Sequence, residues 1–296
     1  MAEPIVVCLG FPAFHDETFY AALRAIDPRI EPVALPVDPA GAWLGSPPAE
    51  PCDEPPPWAT TVAPERRRVL ERAEVLIALH APKDLPALAP RLRWIHCVGA
   101  GTEQFVRVGV SSARTVVTNS SGIGARTISE FVLGRLLSVW KSFRTLDEHQ
   151  QAHRWAPLYG RTFAGSTLGI VGLGAIGIAV AERARAFGVK IAAIRRSWKP
   201  GLTSPHADEL FPPERLHEML GRCDAVVVCA PHSPETERLI DAAALAAMRP
   251  GAVLVNVARG ALVDAAALAD AMRRGHLGAA VLDVFDEEPL PASSPL

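Results

Sequence analysis

The sequence predicts an α/β protein of about two domains, with a parallel sheet covered by helices on both faces in its C-terminal part. Three observations carry this. The chain has 296 residues, 49% hydrophobic and 21% charged, enough for two cores at roughly 100 to 200 residues per domain and unlike collagen, coiled coils or disordered chains. Short apolar runs of strand length alternate with helix-like segments. A glycine-rich turn, Gly172-Leu173-Gly174-Ala175-Ile176-Gly177, sits between one such run and an alanine-rich helix.

The first hundred residues read as a small α/β unit. Its strands are expected at Ile5–Leu9, Val33–Val37, Val75–Leu79 and Trp94–Val98, with helices at Thr18–Ile26 and Pro64–Arg72. Thirteen of the 27 prolines lie in the first 64 residues, densest from Pro47 to Pro57. Missing backbone donors and extended neighbours make that run a surface loop. From Arg126 to His153 apolar residues recur at helical spacing, interrupted only by Gly134, which predicts one long helix. Strands are then expected at Leu168–Val171, Lys190–Ile194, Ala225–Cys229, Ala252–Asn256 and Ala279–Val284, with a helix at Ala179–Phe187. Such runs are apolar throughout, as strands buried on both faces are.

Thirty Lys and Arg against 32 Asp and Glu give a formal charge of −2. No basic footprint for nucleic acid or an anionic membrane exists. The five cysteines, Cys8, Cys52, Cys97, Cys223 and Cys229, are scattered and lack the spacing of a metal site or redox dithiol, so reduced thiols, no metal and a cytoplasmic protein are expected. No apolar run approaches membrane-spanning length.

The chemistry concentrates after the glycine-rich turn. Gly172 permits the tight turn, Gly174 lets a pyrophosphate approach the backbone, and Gly177 packs helix on strand, so Gly172, Gly174, Ala175, Ile176 and Gly177 are expected to hold a dinucleotide. Helix-terminal amides favour its phosphates. The next strand ends in Arg195, Arg196 and Ser197, where NAD sites carry an acidic residue. Two guanidiniums and a hydroxyl suit a ribose phosphate, so NADP(H) is preferred and NAD(H) is the second option; two solvated arginines are the plain alternative. Arg259, just beyond the Ala252–Asn256 strand, stands where ligands of doubly wound sheets bind. Asp283 and the Asp286-Glu287-Glu288-Pro289 run end the last strand in a carboxylate cluster. Arg259 and that cluster could equally form surface salt bridges.

The segments GLGAIG, CAPHSPET, NVARGALVD and LDVFDEEP, in this order and spacing, resemble the D-isomer-specific 2-hydroxyacid dehydrogenase family from about Trp94 onward. HRWAPL, RRSWKPG and EEPLPASSPL are similar to its glyoxylate/hydroxypyruvate reductases. The resemblance implies two Rossmann-like domains with the active site in the cleft between them: a flavodoxin-like substrate-binding domain over residues 1–99, completed by chain after 289, and an NAD(P)-binding domain over residues 100–288. It maps the catalytic arginine onto Arg259 and its acid onto Glu288. Gly99, Ala100 and Gly101 match the loop whose amides hold the keto-acid carboxylate. Asp283 matches the residue meeting the nicotinamide carboxamide, and Ala230 and Pro231 the segment lining its ribose. Thr127 and Glu130 lie in a stretch similar to the start of the long domain-crossing helix.

The implied function is reduction of a small 2-keto acid, glyoxylate or hydroxypyruvate, to the D-2-hydroxy acid by a homodimer. Trp155 either packs at the helix end or, as in the resembling reductases, reaches the partner subunit's substrate pocket. The family's catalytic histidine belongs to a segment beyond Glu288, and none of the nine histidines here matches it. The expectation is therefore of a longer native chain. His80 reads as a satisfied histidine at a strand end, with a substrate role as the alternative, and His232 lies near the expected nicotinamide. A catalytically idle NAD(P)H-binding regulator or scaffold is the alternative function; formate dehydrogenase shares the architecture, but its asparagine- and proline-bearing substrate region is not found in the first 125 residues.

Overall fold

A computed structural model describes residues 3–36 and 62–296. The chain divides into two compact units, Met1–Ser121 and Gly122–Leu296.

The first unit holds a five-stranded parallel sheet in the order β2-β1-β3-β4-β5, formed by β1 (Ile5–Leu9), β2 (Ile30–Ala34), β3 (Val75–Ala78), β4 (Trp94–Cys97) and β5 (Val116–Asn119). Around it run α1 (Glu17–Ile26), α2 (Pro64–Arg72), α3 (Leu85–Leu88) and α4 (Glu103–Arg107). Asp16 starts α1 by accepting the Phe19 amide at 2.9 Å, a cap worth about 1 kcal/mol. Pro64 occupies the first turn of α2, where its missing donor costs nothing. Leu70, Leu76, Leu85, Ile95 and Phe105 form the core of this unit.

The second unit holds a six-stranded parallel sheet in the order β11-β10-β9-β6-β7-β8. Its strands are β6 (Thr167–Val171), β7 (Lys190–Ile194), β8 (Glu209–Phe211), β9 (Ala225–Val228), β10 (Val253–Asn256) and β11 (Ala279–Leu282). This is the doubly wound order of dinucleotide-binding domains, with the strand order reversing between β6 and β9. Alternate residues feed separate cores: Val226, Val228 and Leu254 face one layer, while Ala225, Val227, Val253 and Val255 face the other. Period-two side chains with both faces buried explain why these strands read as continuous apolar runs. Each fully buried valine or leucine contributes about 1.5 to 3 kcal/mol.

Four expectations need correction. The second strand lies at Ile30–Ala34, not Val33–Val37; it is an edge strand, where Pro32 is tolerated, and its register with β1 begins at Ile5 and Ile30. Val37 and the run from Pro47 to Pro57 lie outside the described residues. The single long helix is two: α5 (Ala125–Trp140) and α6 (Phe143–Gln151), separated at Ser142, whose φ is +55°. The backbone at Gly160 and Arg161 docks on the end of α5, where the Arg161 amide donates to the Trp140 carbonyl at 2.7 Å. A Cβ at Gly160 would lie 2.7 Å from that same oxygen. The Arg161 guanidinium then stacks 4.7 Å from the Trp140 ring and pairs with Asp224 at 2.6 Å, so the helix end is clamped by tertiary structure.

The boundary between units falls after Ser121, about twenty residues later than a domain ending at 99, because β5 pairs with β4 from Val116 to Asn119 and completes the first sheet. Finally, β5 and β8 form where no strand is expected, although Thr115–Thr118 is a β-branched run that favours one. Both are short edge strands, held by one neighbour each.

Candidate active site

The helix α7 (Ala175–Arg185) follows β6 through the turn at Gly172. Gly172 has φ +105°, and a Cβ there would lie 2.6 Å from the Ala230 nitrogen and 2.7 Å from its Cα. Only glycine lets the loops after β6 and β9 touch. Cys229 fastens them: its amide donates to the Val171 carbonyl at 2.9 Å and its thiol to the Gly172 carbonyl at 3.0 Å. Burial pushes that thiol up to about 12, so it remains a protonated donor. The Gly172 and Leu173 amides both donate to Ile194, tying in the loop after β7.

Gly174 caps α7, and apart from its own chain neighbours and helix no described residue lies within 4 Å of where its Cβ would stand. A Cβ at Gly177 would collide with the Gly172 carbonyl and lie 2.9 Å from Ile170 Cγ2. Turn, opening and close packing thus occur where the spacing implied them. Room at Gly174, in front of the first-turn amides at Ala175 and Ile176, fits the pyrophosphate of a dinucleotide.

Arg195, Arg196 and Ser197 are exposed at the end of β7, next to β6. Across the switch point, the loop after β9 carries Ala230, Pro231, His232, Ser233 and Glu235. Thr236 Oγ1 donates to the Pro231 carbonyl and accepts the Ser233 amide, each at 2.8 Å, which closes this loop on itself. The Glu235 carboxyl is held below the usual carboxylate range, first by the Ser233 hydroxyl, then by its own backbone amide, with the Arg196 charge adding to both. Arg196 and Glu235 therefore share one electrostatic neighbourhood. His232 is half-buried, and its Nε2 is buried with no hydrogen-bond partner.

Arg259 stands in extended conformation just past β10 and is exposed. The turn carrying it is set by Asn256, a buried amide that donates to the Arg259 carbonyl at 2.8 Å and accepts the Ala258 amide at 3.0 Å. A Cβ at Gly260 would overlap the Phe285 and Asp286 backbone, so this turn packs directly against the chain after β11. Asp283 lies at the end of β11, its amide donating to the Asn256 carbonyl at 3.0 Å. Glu288 Oε1 accepts the Phe285 amide at 2.8 Å, curling the acidic run back on itself, while no described residue bonds Oε2. The Glu288–Pro289 bond is cis. The second unit thus gathers the predicted cofactor residues, Arg259 and Asp283 along one edge of its sheet, outside the carboxyl ends of the strands.

In the first unit, Gly99, Ala100 and Gly101 follow β4. Their carbonyls accept, respectively, the Ser120 amide at 3.0 Å, Asn119 Nδ2 at 2.7 Å, and both Cys97 Sγ and Gln104 Nε2 at 3.1 Å. His80 is half-buried at the end of β3 and makes no hydrogen bond to a described residue; burial lowers its pKa, favouring neutral imidazole. Among the described residues, then, nothing supplies the partner that a satisfied histidine at this strand end implies. Trp155 is 96% exposed, so its ring does not pack within this chain.

Sequence reasoning missed Asn256, Gln104, Asn119 and Glu235. Asn256 had a signal, a polar residue closing an otherwise apolar strand, since such groups are buried only when hydrogen-bonded. Gln104 and Asn119 had none, because their partners are carbonyls of a loop folded by distant strands.

A family model for the D-isomer specific 2-hydroxyacid dehydrogenase NAD binding domain matches residues 133–296. A D-3-phosphoglycerate dehydrogenase of Mycobacterium bovis is 39% identical over 72% of this chain, and the chain spans 40% of that relative's length. A glyoxylate reductase of Thermococcus onnurineus is 37% identical over 76% of this chain and 69% of its own. Among solved structures, a D-isomer specific 2-hydroxyacid dehydrogenase of Xanthobacter autotrophicus in complex with NADPH and MES superposes with a TM-score of 0.75 at 28% identity, covering 100% of this chain and 85% of its own. Doubly wound sheet, glycine turn, clamped arginine turn and these matches agree: the chain belongs to the D-isomer specific 2-hydroxyacid dehydrogenase family.

Proposed function

We propose that this protein reduces glyoxylate or hydroxypyruvate to the D-2-hydroxy acid with hydride from NADPH. The observation that carries the reading is the Arg259 turn, locked by Asn256 and Gly260 on the same sheet edge as the glycine turn. When bound, the nicotinamide supplies the hydride, and charge builds on the substrate carbonyl oxygen. The Arg259 fork binds the substrate carboxylate and that oxygen, countering the charge as it develops. The amides of the Gly99–Gly101 loop hold the carboxylate. Glu288, whose Oε2 is bonded to no described residue, orients the group that protonates the oxygen, a general acid titrating near neutrality. Asp283 meets the carboxamide, and Ala230 and Pro231 line the ribose.

NADPH is favoured over NADH because Arg195, Arg196 and Ser197 offer charge-assisted bonds to a ribose phosphate and no acceptor for ribose hydroxyls. The relative solved with NADPH supports this, and the glyoxylate reductase supports the substrate. The reading includes a cytoplasmic enzyme, in keeping with the thiols of Cys8, Cys223 and Cys229, none of which is disulfide-bonded to a described residue. No described helix is long and apolar enough to cross a membrane. It also includes a two-fold dimer over Phe143, Leu146, Trp155, Leu158 and Tyr159, an exposed apolar group on and after α6.

The test is direct. Dissociation constants for both reduced cofactors are measured by fluorescence, and NADPH oxidation is followed with glyoxylate and hydroxypyruvate beside NAD-linked oxidation of D-3-phosphoglycerate. NADPH binding at least tenfold tighter, with turnover of the two-carbon or three-carbon keto acid, is expected. Equal or tighter NADH binding sinks the cofactor assignment, and turnover confined to D-3-phosphoglycerate sinks the substrate. Sedimentation as a monomer at micromolar concentration removes the dimer.

A further inference from the structure

The structure assigns to Asn119 and Gln104 the orientation of the amides that receive the substrate carboxylate, an inference that rests on reading the loop after β4 as the carboxylate subsite. In a trans peptide the carbonyl and the following N–H point in opposite directions across one rigid plane. Fixing a carbonyl therefore aims the next amide. Three consecutive carbonyls are fixed here: Gly99 by the Ser120 amide, Ala100 by Asn119 Nδ2, and Gly101 by Gln104 Nε2 together with the Cys97 thiol. The amides aimed the other way belong to Ala100, Gly101 and Thr102. None of the three donates to a described residue.

Three successive donors turned away from their pinned carbonyls suit the oxygens of a carboxylate. Thr102 thereby joins Ala100 and Gly101 as a donor, which the glycine pattern alone does not reveal.

The two side chains do this differently. Gln104 Nε2 also donates to the Leu79 carbonyl at 2.8 Å, so it couples the loop to the end of β3. Two carbonyl acceptors on one nitrogen require the amide NH2 at that position; a glutamate could not replace it. Asn119, exposed at the end of β5, donates to Ala100 and accepts the Ser121 amide at 3.2 Å. Removing its donor frees the peptide between Ala100 and Gly101 to rotate, and the Gly101 amide is lost to the ligand. Neither side chain needs to touch substrate, so both are positioning residues.

The experiment uses the NADPH-loaded protein and oxamate, a carboxylate analogue of the keto acid, with binding read from cofactor fluorescence. Asn119→Leu and Gln104→Met, near-isosteric and without donors, are compared with the parent, and Asn119→Gln tests restoration of a donor. Because a hydrogen bond to a charged group is strong, each donorless variant should weaken oxamate about tenfold or more. NADPH affinity and melting temperature should stay near the parent's, and glyoxylate KM should rise while kcat changes less than twofold. Asn119→Gln should recover part of the loss. A purely structural role would lower stability or NADPH affinity along with oxamate binding. Should Gln104→Met fail to fold, the exposed Asn119→Leu decides alone. Parent and variants binding oxamate equally overturns the positioning role and leaves the subsite standing. A parent that binds NADPH but no oxamate overturns both.

Discussion

Gly172 and Gly174 are two residues apart, and the structure separates what each is for. At Gly172 an added methyl meets backbone, 2.6 Å from the Ala230 nitrogen and 2.9 Å from the Cys229 carbonyl carbon, at φ +105°. Backbone strain of about 1 to 3 kcal/mol adds to overpacking of similar size. Gly172→Ala should thus destabilise by about 2 to 6 kcal/mol, the sum of those two ranges. At roughly 2 to 4 °C per kcal/mol for a unit of this size, the melting point falls by about 4 to 24 °C. At Gly174 the methyl meets nothing within 4 Å, and φ is −97°. Gly174→Ala should fold as the parent does, or gain about 0.4 to 1 kcal/mol from a less flexible unfolded chain. It should nevertheless bind NADPH at least tenfold more weakly, about 1.4 kcal/mol, because the methyl stands where the pyrophosphate meets the helix amides. Calorimetric melting and cofactor fluorescence, run on both variants, separate the two effects. If Gly174→Ala binds NADPH like the parent, or Gly172→Ala melts with the parent, the reasoning about this turn is wrong.

Three further outcomes are expected. Arg259→Lys should keep NADPH binding but lose tenfold or more in oxamate affinity, because a point ammonium cannot reproduce the planar fork; unchanged oxamate binding would remove Arg259 from the substrate site. Burial pushes the thiols of Cys8, Cys223 and Cys229 up to about 12, so all three stay protonated at pH 8; mass spectrometry after iodoacetamide should find these three unmodified until the protein is unfolded, and rapid labelling in the folded state would contradict the reasoning. His80 is lowered from 6.5 by burial, so below about pH 6.5 the unfolded chain takes up a proton that the folded one resists, and stability falls with pH; His80→Gln should flatten that part of the pH–stability curve, and an identical curve would show that His80 is not responsible.

The fold was legible where one short segment carries its own signal. Buried parallel strands need continuous apolar runs, and β6, β7, β9 and β10 announce themselves that way; the glycine turn at Gly172 follows from local geometry alone. What escaped was decided at a distance. The break after Trp140 is invisible in helical periodicity, because it is made by Gly160 and Arg161 docking from elsewhere. Strand β5, with Val116 exposed and Val117 only half-buried, forms because β4 offers an unpaired edge. In the candidate site, the residues proposed to meet ligand came from the glycine motif and from the family resemblance, while Asn256, Gln104 and Asn119, which hold the backbone around them, came from neither. Their partners are carbonyls and amides, and any sequence supplies those.

The break between α5 and α6 divides one amphipathic stretch into parts of very different local stability. In α5, Val132, Leu133, Leu136 and Trp140 are buried in the core; no residue of α6 is fully buried, and only Thr145 and His149 are half-buried. Backbone amides exchange with solvent through local opening whose cost tracks such burial. Amides of α5 should therefore survive in deuterated buffer toward the global unfolding limit, while those of α6 exchange early in an isolated chain. Covering α6 with a second copy would slow its exchange alone. The nine residues from Phe143 to Gln151 thus form a built-in gauge of self-association, readable peptide by peptide as protein concentration is raised.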